Sequence, residues 1–286
     1  MTGRRWKDVR KIDAHVHVVL HRRDDTELTF NPPDAMLDAM DANGVDRAVV
    51  LPINYPDYFP LDGVERGDWL RASNERQAEI ARASDGRLVS FADCAIDGIY
   101  AQPARGVGEL ERAVSEDGLA GLKIHPYNLR AHAADPRLSP WIEAAGSLGV
   151  PIVFHSNPSG YDADFHGSAP AGIYRAVLGR DVAFAIAHMG GVSFYETLAG
   201  GGYVDLSGTL LWLADLHGAG FCERLMRRIG IDRLLFATDY PIYPYEDYFA
   251  VLDAMDFTDA EVERIAHGNA ERMLAGLPPI DLDEEA

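Results

Sequence analysis

The chain has 286 residues, 47% of them apolar and 25% charged, and its 26 basic and 45 acidic side chains give a formal net charge of −19. That excess repels nucleic acid and anionic membrane surfaces and argues against both as partners. Two cysteines, Cys94 and Cys222, exclude a disulfide framework and a CxxC metal motif. No run approaches the ~18 apolar residues of a membrane span, and no apolar stretch follows the basic start as in a secretory signal, so the expectation is a cytoplasmic globular protein.

Short apolar runs bounded by turn residues predict eight strands, at 11–19, 47–53, 87–94, 120–126, 151–157, 182–190, 202–208 and 233–241. Helical spacing or composition lies between them, at 33–44, 68–86, 108–118 and 221–230, and an amphipathic stretch follows at 258–274. Gly44, Gly86, Gly118 and Gly230 stand where a helix would end before the next strand. Near-continuous apolar strands alternating with helices predict an α/β fold with a parallel sheet covered on both faces. Eight such units fit a closed (β/α)8 TIM barrel with an additional C-terminal helix, as a single domain over 1–286. A doubly wound sheet is the rival, but no strand leads into a GxGxxG turn. Residues 278–286 read as an acidic, frayed tail.

Barrel chemistry sits at the C-terminal ends of strands, and there this chain concentrates imidazole. The first strand, KIDAHVHVV, carries His15 and His17. Alternation of side chains puts these two and Asp13 on one face, with Ala14 and Val16 on the other. The fourth strand carries Lys123 and His125, the fifth ends at His155, the sixth at His188 and the eighth at Asp239; five of the ten histidines occupy these ends. Burying so many imidazoles and a carboxylate together without a cation is costly, and neutral imidazole with carboxylate suits a borderline-soft divalent ion such as zinc. His15 and His17 supply adjacent ligands. His155 closes the set from across the barrel, and Asp239 binds the metal, receives a proton from its water, or does both. His188 polarises the substrate or shuttles a proton.

These motifs, IDAHVH, SNERQAEIARASDGRLVSFA with Asn74, GVPIVFH, AIAHMGG, YVDLSG, LLFATDYP and the closing GNAERML, together resemble the metal-dependent amidohydrolase superfamily. The resemblance is to the amidohydrolase-related branch that includes aminocarboxymuconate semialdehyde decarboxylase and resorcylate-type decarboxylases. It spans nearly the whole chain. It implies one divalent metal, usually zinc, held by His15, His17, His155 and Asp239, with His188 as the catalytic histidine. In two-metal relatives a strand-four lysine is carboxylated and bridges the ions. Lys123 and His125 share a face here and are read instead as groups that support the ligands or touch substrate.

The branch contains hydrolases and nonoxidative decarboxylases, so the resemblance leaves the reaction open. The leading expectation is hydrolysis of an ester, lactone or amide of a small molecule by metal-activated water, with Asp239 taking the proton and His188 stabilising the oxyanion. The alternative is decarboxylation of an aromatic or enolic acid, for which Lys123, Arg130 and Arg175 are the candidate carboxylate-holding cations. Asn54 and Tyr55 after the second strand, Asn157 after the fifth and Ser207 ending the seventh are further candidate substrate contacts. Tyr58 and Asp93 are others, and Tyr195 and Trp212 line either a pocket or a subunit contact. Relatives often form dimers, so a homo-oligomer, most simply a dimer, is expected.

Overall fold

The backbone alternates strand and helix from end to end. The computed structural model describes residues 5–20, 30–53, 68–156 and 166–280. In order these contain β1 (Lys11–Val16), α1 (Pro33–Asn43), β2 (Val45–Val50), α2 (Trp69–Arg82), β3 (Leu88–Ser90) and α3 (Pro103–Ser115). Then come β4 (Leu122–Ile124), the single turn α4 (Pro126–Leu129), α5 (Ser139–Leu148), β5 (Ile152–Phe154), α6 (Pro170–Val177) and β6 (Phe184–Ile186). The chain continues through β7 (Tyr203–Asp205), α7 (Thr209–His217), α8 (Ala219–Ile229), β8 (Leu234–Leu235), α9 (Tyr245–Leu252), α10 (Asp259–Glu263) and α11 (Asn269–Leu274).

Every strand pairs in parallel with the next, in the orders β1-β2-β3 and β4-β5-β6-β7-β8. Two bridges join these arcs: Ala92 pairs with Leu122 beyond β3, and Tyr240 beyond β8 pairs with Val16. The seam between β8 and β1 is sealed by Ala14 N–H to Phe236 O at 2.9 Å, Asp239 N–H to His15 O at 2.8 Å and His17 N–H to Tyr240 O at 2.8 Å. The eight described strands therefore close into the expected (β/α)8 barrel.

Alternation along the strands separates two kinds of apolar surface. Val49, Leu51, Val153, Ala185 and Leu235 point inward and form a dry floor with Phe91 and Tyr203, closed below by Ala270 and Met273 of α11. Their sequence neighbours Ala48, Val50, Val204 and Leu234 face out against α1, α7, α8 and α9. Leu122, Ile124, Ile152 and Phe154 do the same against α3 and α5. Both faces are buried, which is why the strands read as unbroken apolar runs.

The regular strands are shorter than the apolar runs, because the runs continue past the ladder into the loops that carry the site. Gly44 caps α1 at φ 66° and ψ 30°, and a Cβ there would meet Lys7 O at 2.7 Å, so glycine is the residue this turn accepts. Gly86 and Gly118 instead lie in the turns after α2 and α3, beyond the helix ends. The expected C-terminal helix starts on a capping box between Thr258 and Glu261, then widens into a π turn at Arg264–Gly268 before α11 resumes. Among the described residues no helix is long and apolar enough to cross a membrane.

Candidate metal centre

The first strand departs from strict alternation. Its pairing with β2 shifts register between Asp13 and Val16, the mark of a bulge that adds a residue and turns the strand. Ile12 and Ala14 belong to the inner floor, whereas Val16 joins the outer cluster under the helices. The expectation that Asp13 shares a face with His15 and His17 is corrected accordingly. The Asp13 carboxylate turns to Thr238, accepting from its N–H at 3.1 Å and its hydroxyl at 2.5 Å, and also accepts from His15 N–H at 3.1 Å. It ties β1 to the segment that carries Asp239. Burial pushes the Asp13 carboxyl up to about 7, against the pull of these hydrogen bonds.

Beyond the bulge, His15 and His17 point into the barrel mouth. His15 Nδ1 donates to Asp205 Oδ2 at 2.8 Å, and His17 Nδ1 to the carbonyl of Leu51 at 2.9 Å. Where each ring carries one proton, these acceptors hold it on Nδ1 and leave a lone pair on Nε2. Those two nitrogens lie 3.4 and 3.0 Å from Asp239 Oδ1, an oxygen with no hydrogen-bond partner among the described residues. Three buried acceptors aimed at one another repel unless a cation sits among them. His15, His17 and Asp239 offer ligand atoms all within 4.8 Å of one another, and the donor set of two imidazoles and a carboxylate is that of a divalent metal. Each imidazole is also held from behind by an acceptor on its far nitrogen, as metal ligands are.

Burial drives the His15 imidazolium far below its ordinary range, with the Lys123 ammonium adding to the effect. For Asp239 burial pushes the other way, toward the neutral acid, but the surrounding histidines outweigh it and hold the carboxyl well below the usual range. Asp239 sits at φ 63°, and His188 and Met189 at φ 55° and 49°, left-handed conformations that non-glycine residues adopt only where the surroundings enforce them. The enforcing bonds are Asp239 N–H to His15 O at 2.8 Å and His188 N–H to Asp205 Oδ1 at 2.8 Å.

Around this core stand the remaining imidazoles. His188 Nδ1 lies 3.9 Å from Asp239 Oδ2 and 2.8 Å from Ser207 Oγ, while its Nε2 is 3.2 Å from His155 Nδ1. His155 therefore reaches the centre's edge beside His188, outside the tight three-ligand group, and stacks on His125 with ring centroids 3.7 Å apart. Burial lowers His188 to about 4, leaving it neutral at pH 7, and pulls His125 well below its usual range. Lys123 is 1% exposed, and its Nζ has no hydrogen-bond partner among the described residues. Burial lowers it to about 8, opposed by the nearby charges of Asp205, Asp239 and Asp93.

Other sequence candidates fall elsewhere. Asn54, Tyr55, Tyr58 and Asn157 lie outside the described residues. Arg130 and Arg175 are exposed, which leaves Lys123 as the buried one of the three candidate cations. Asp93 is buried at the end of β3, accepting from Ser73 Oγ at 2.9 Å; Asn74 links that strand end to Glu109 of α3. Tyr195 and Trp212 are 58% and 44% exposed, so neither is a wall of a closed pocket. Asp205 was overlooked in the sequence. The signal was present in YVDLSG, a carboxylate one alternation before Ser207 at the end of an apolar strand.

A closed parallel barrel with imidazoles and a carboxylate converging at its C-terminal mouth defines a (β/α)8-barrel protein with a candidate cation site. The sequence profile of the amidohydrolase family matches residues 12–276, and the chain belongs to that family. No curated protein matches the chain by sequence. Among solved structures it is similar to 2,6-dihydroxybenzoate decarboxylase from Rhizobium, at 18% identity and TM-score 0.69, covering 93% of this chain and 98% of that one. It is also similar to 5-carboxyvanillate decarboxylase from Sphingomonas paucimobilis, at 19% identity and TM-score 0.64 over 93% and 98% of the two chains. A third is a dihydroxybenzoic acid decarboxylase from a Polaromonas species, solved with manganese and the inhibitor 2-nitroresorcinol, at 18% identity and TM-score 0.66 over 93% and 96%. At such identities the likeness is one of fold.

Proposed function

We propose that this protein is a metal-dependent, nonoxidative decarboxylase of a small aromatic or enolic carboxylic acid. The observation that carries the reading is Lys123, a buried ammonium without a hydrogen-bond partner among the described residues, lying among the groups of the metal centre. A buried cation without a partner costs free energy that a substrate carboxylate recovers on binding. The similar folds of decarboxylases acting on hydroxylated benzoates support the same chemistry.

A divalent cation at His15, His17 and Asp239, with His155 as the further ligand the family resemblance implies, would supply Lewis-acid polarisation of substrate oxygens. The chain's own groups do the rest. Lys123 Nζ pairs with the carboxylate. The proton given up by the neighbouring phenolic or enolic hydroxyl is held by Asp239 or His188 and returned to the carbon bearing the carboxylate. The bond from that carbon to the carboxylate then breaks, its electron pair returns to the ring or enol, and carbon dioxide leaves. The imidazole-rich ligand set favours zinc; manganese, present in the Polaromonas decarboxylase, is the competing outcome of elemental analysis, which also counts ions per chain.

Hydrolysis of an ester, lactone or amide is the second reading, and Asp239 favours it: a carboxylate at the candidate metal site is a proton acceptor for attacking water. Metal-loaded protein is assayed for carbon dioxide release from hydroxybenzoates and enolic acids, and in parallel for ester and lactone cleavage. Metal-dependent carbon dioxide release is expected. Ester or lactone turnover with no carbon dioxide from any acid would overturn the proposal in favour of the second reading.

A further inference from the structure

Donor counting fixes where the protons sit between Asp205 and His155. Asp205 Oδ1 accepts from the backbone N–H groups of His188 at 2.8 Å and Ser207 at 3.0 Å, and Oδ2 faces His15 Nδ1 at 2.8 Å. Oδ1 also lies 2.5 Å from Ser207 Oγ. With every other contact arriving as a donor, Asp205 is hydrogen-bonded as a carboxylate, and the single hydroxyl proton of Ser207 goes to it. Toward His188 Nδ1, 2.8 Å away, Ser207 Oγ can then only accept. His188 must carry its proton on Nδ1 and its lone pair on Nε2. That lone pair faces His155 Nδ1 at 3.2 Å, a contact satisfied when His155 donates from Nδ1.

We infer that Ser207, held by Asp205, is a positioning residue that fixes His188 as the Nδ1–H tautomer, so that one carboxylate directs the Nε2 atoms of both His15 and His188. The consequence rests on the decarboxylase reading: with Nδ1–H committed to Ser207 and Nε2 accepting from His155, His188 offers no hydrogen-bond donor to an oxyanion, and it takes the phenolic or enolic proton at Nε2 only where substrate displaces the His155 contact. The proton on His188 Nδ1 rests on hydrogen bonding alone.

The test is two-bond proton–nitrogen correlation NMR of zinc-loaded protein labelled with ¹⁵N-histidine, with His188 assigned from a His188→Gln variant. His188 is expected as the Nδ1–H tautomer in the native chain and in Ser207→Thr, which keeps the hydroxyl. Ser207→Ala is expected to lose that preference, its two ring-nitrogen signals moving toward the Nε2–H form. An Nε2–H tautomer in the native chain, a measurement that needs no variant to fold, overturns the inference. So does a Ser207→Ala spectrum in which His188 is unchanged. Failure of the carbon dioxide assay with the Nδ1–H tautomer present would remove the reaction and leave the tautomer standing.

Discussion

Replacing Lys123 by methionine separates the cost of the buried ammonium from its use. Methionine keeps an unbranched side chain of similar volume, so packing against the floor is largely retained. Burial takes the ammonium from 10.5 to about 8 despite the nearby carboxylates, which corresponds to about 3 kcal/mol against the folded state. Below pH 8 the lysine is charged in both folded and unfolded chains, and that cost is present in full. Between pH 8 and 10.5 the unfolded chain binds more protons than the folded one, so native stability rises with pH and the cost disappears. Lys123→Met is therefore expected to be more stable than the native chain by up to ~3 kcal/mol at pH 7, with the difference shrinking from pH 8 toward 10.5. Urea titrations across that range, with a chelator present to remove repulsion from a bound cation, measure it. A less stable variant at pH 7, or a difference that does not change with pH, would refute the picture of a buried cation awaiting a partner. The same deprotonation predicts that KM for an acid substrate climbs above pH 8.

Three further substitutions divide the centre by role. Asp239→Asn removes the carboxylate on which His15 and His17 converge, and elemental analysis should find the purified variant depleted of metal, with turnover down by about 100-fold or more. His188→Ala should keep its metal content while losing about 10²–10⁴-fold in turnover; near-native rates would remove His188 from the chemistry. Asp205→Asn removes the negative charge behind His15 Nδ1 and turns one of its acceptor oxygens into a donor, and is expected to weaken metal affinity about 10–100-fold in competition with a chelator.

The barrel was legible because both faces of its strands are buried: apolar runs and turn residues repeat eight times, and no local signal competes with them. Lys123 and His125 lay where alternation placed them. The first strand defeated that rule, since nothing in KIDAHVHVV announces a bulge, and only pairing with β2 and the pull of Thr238 turn Asp13 away from the histidines. The C-terminal helix was legible over its whole length, but the π turn at Arg264–Gly268 inside it was not, because the amphipathic pattern continues across it.

Residue type and strand-end position singled out His15, His17, His155 and Asp239 as a candidate ligand set; His15, His17 and Asp239 come together, and His155 stands outside that group. Asp205 met both conditions and was still passed over, because a sequence shows which groups a strand end offers but not which way their protons point. That direction decides the chemistry. With Nδ1 of His15 and His17 committed to Asp205 and Leu51, the two Nε2 atoms and Asp239 Oδ1 form an arrangement stable only around positive charge. Lys123 is the converse case, positive charge without a bonded acceptor among the described residues. An excess of acceptors beside a separate buried cation is the charge pattern the proposed decarboxylase reading calls for, with a metal ion and a carboxylate substrate as occupants of opposite sign.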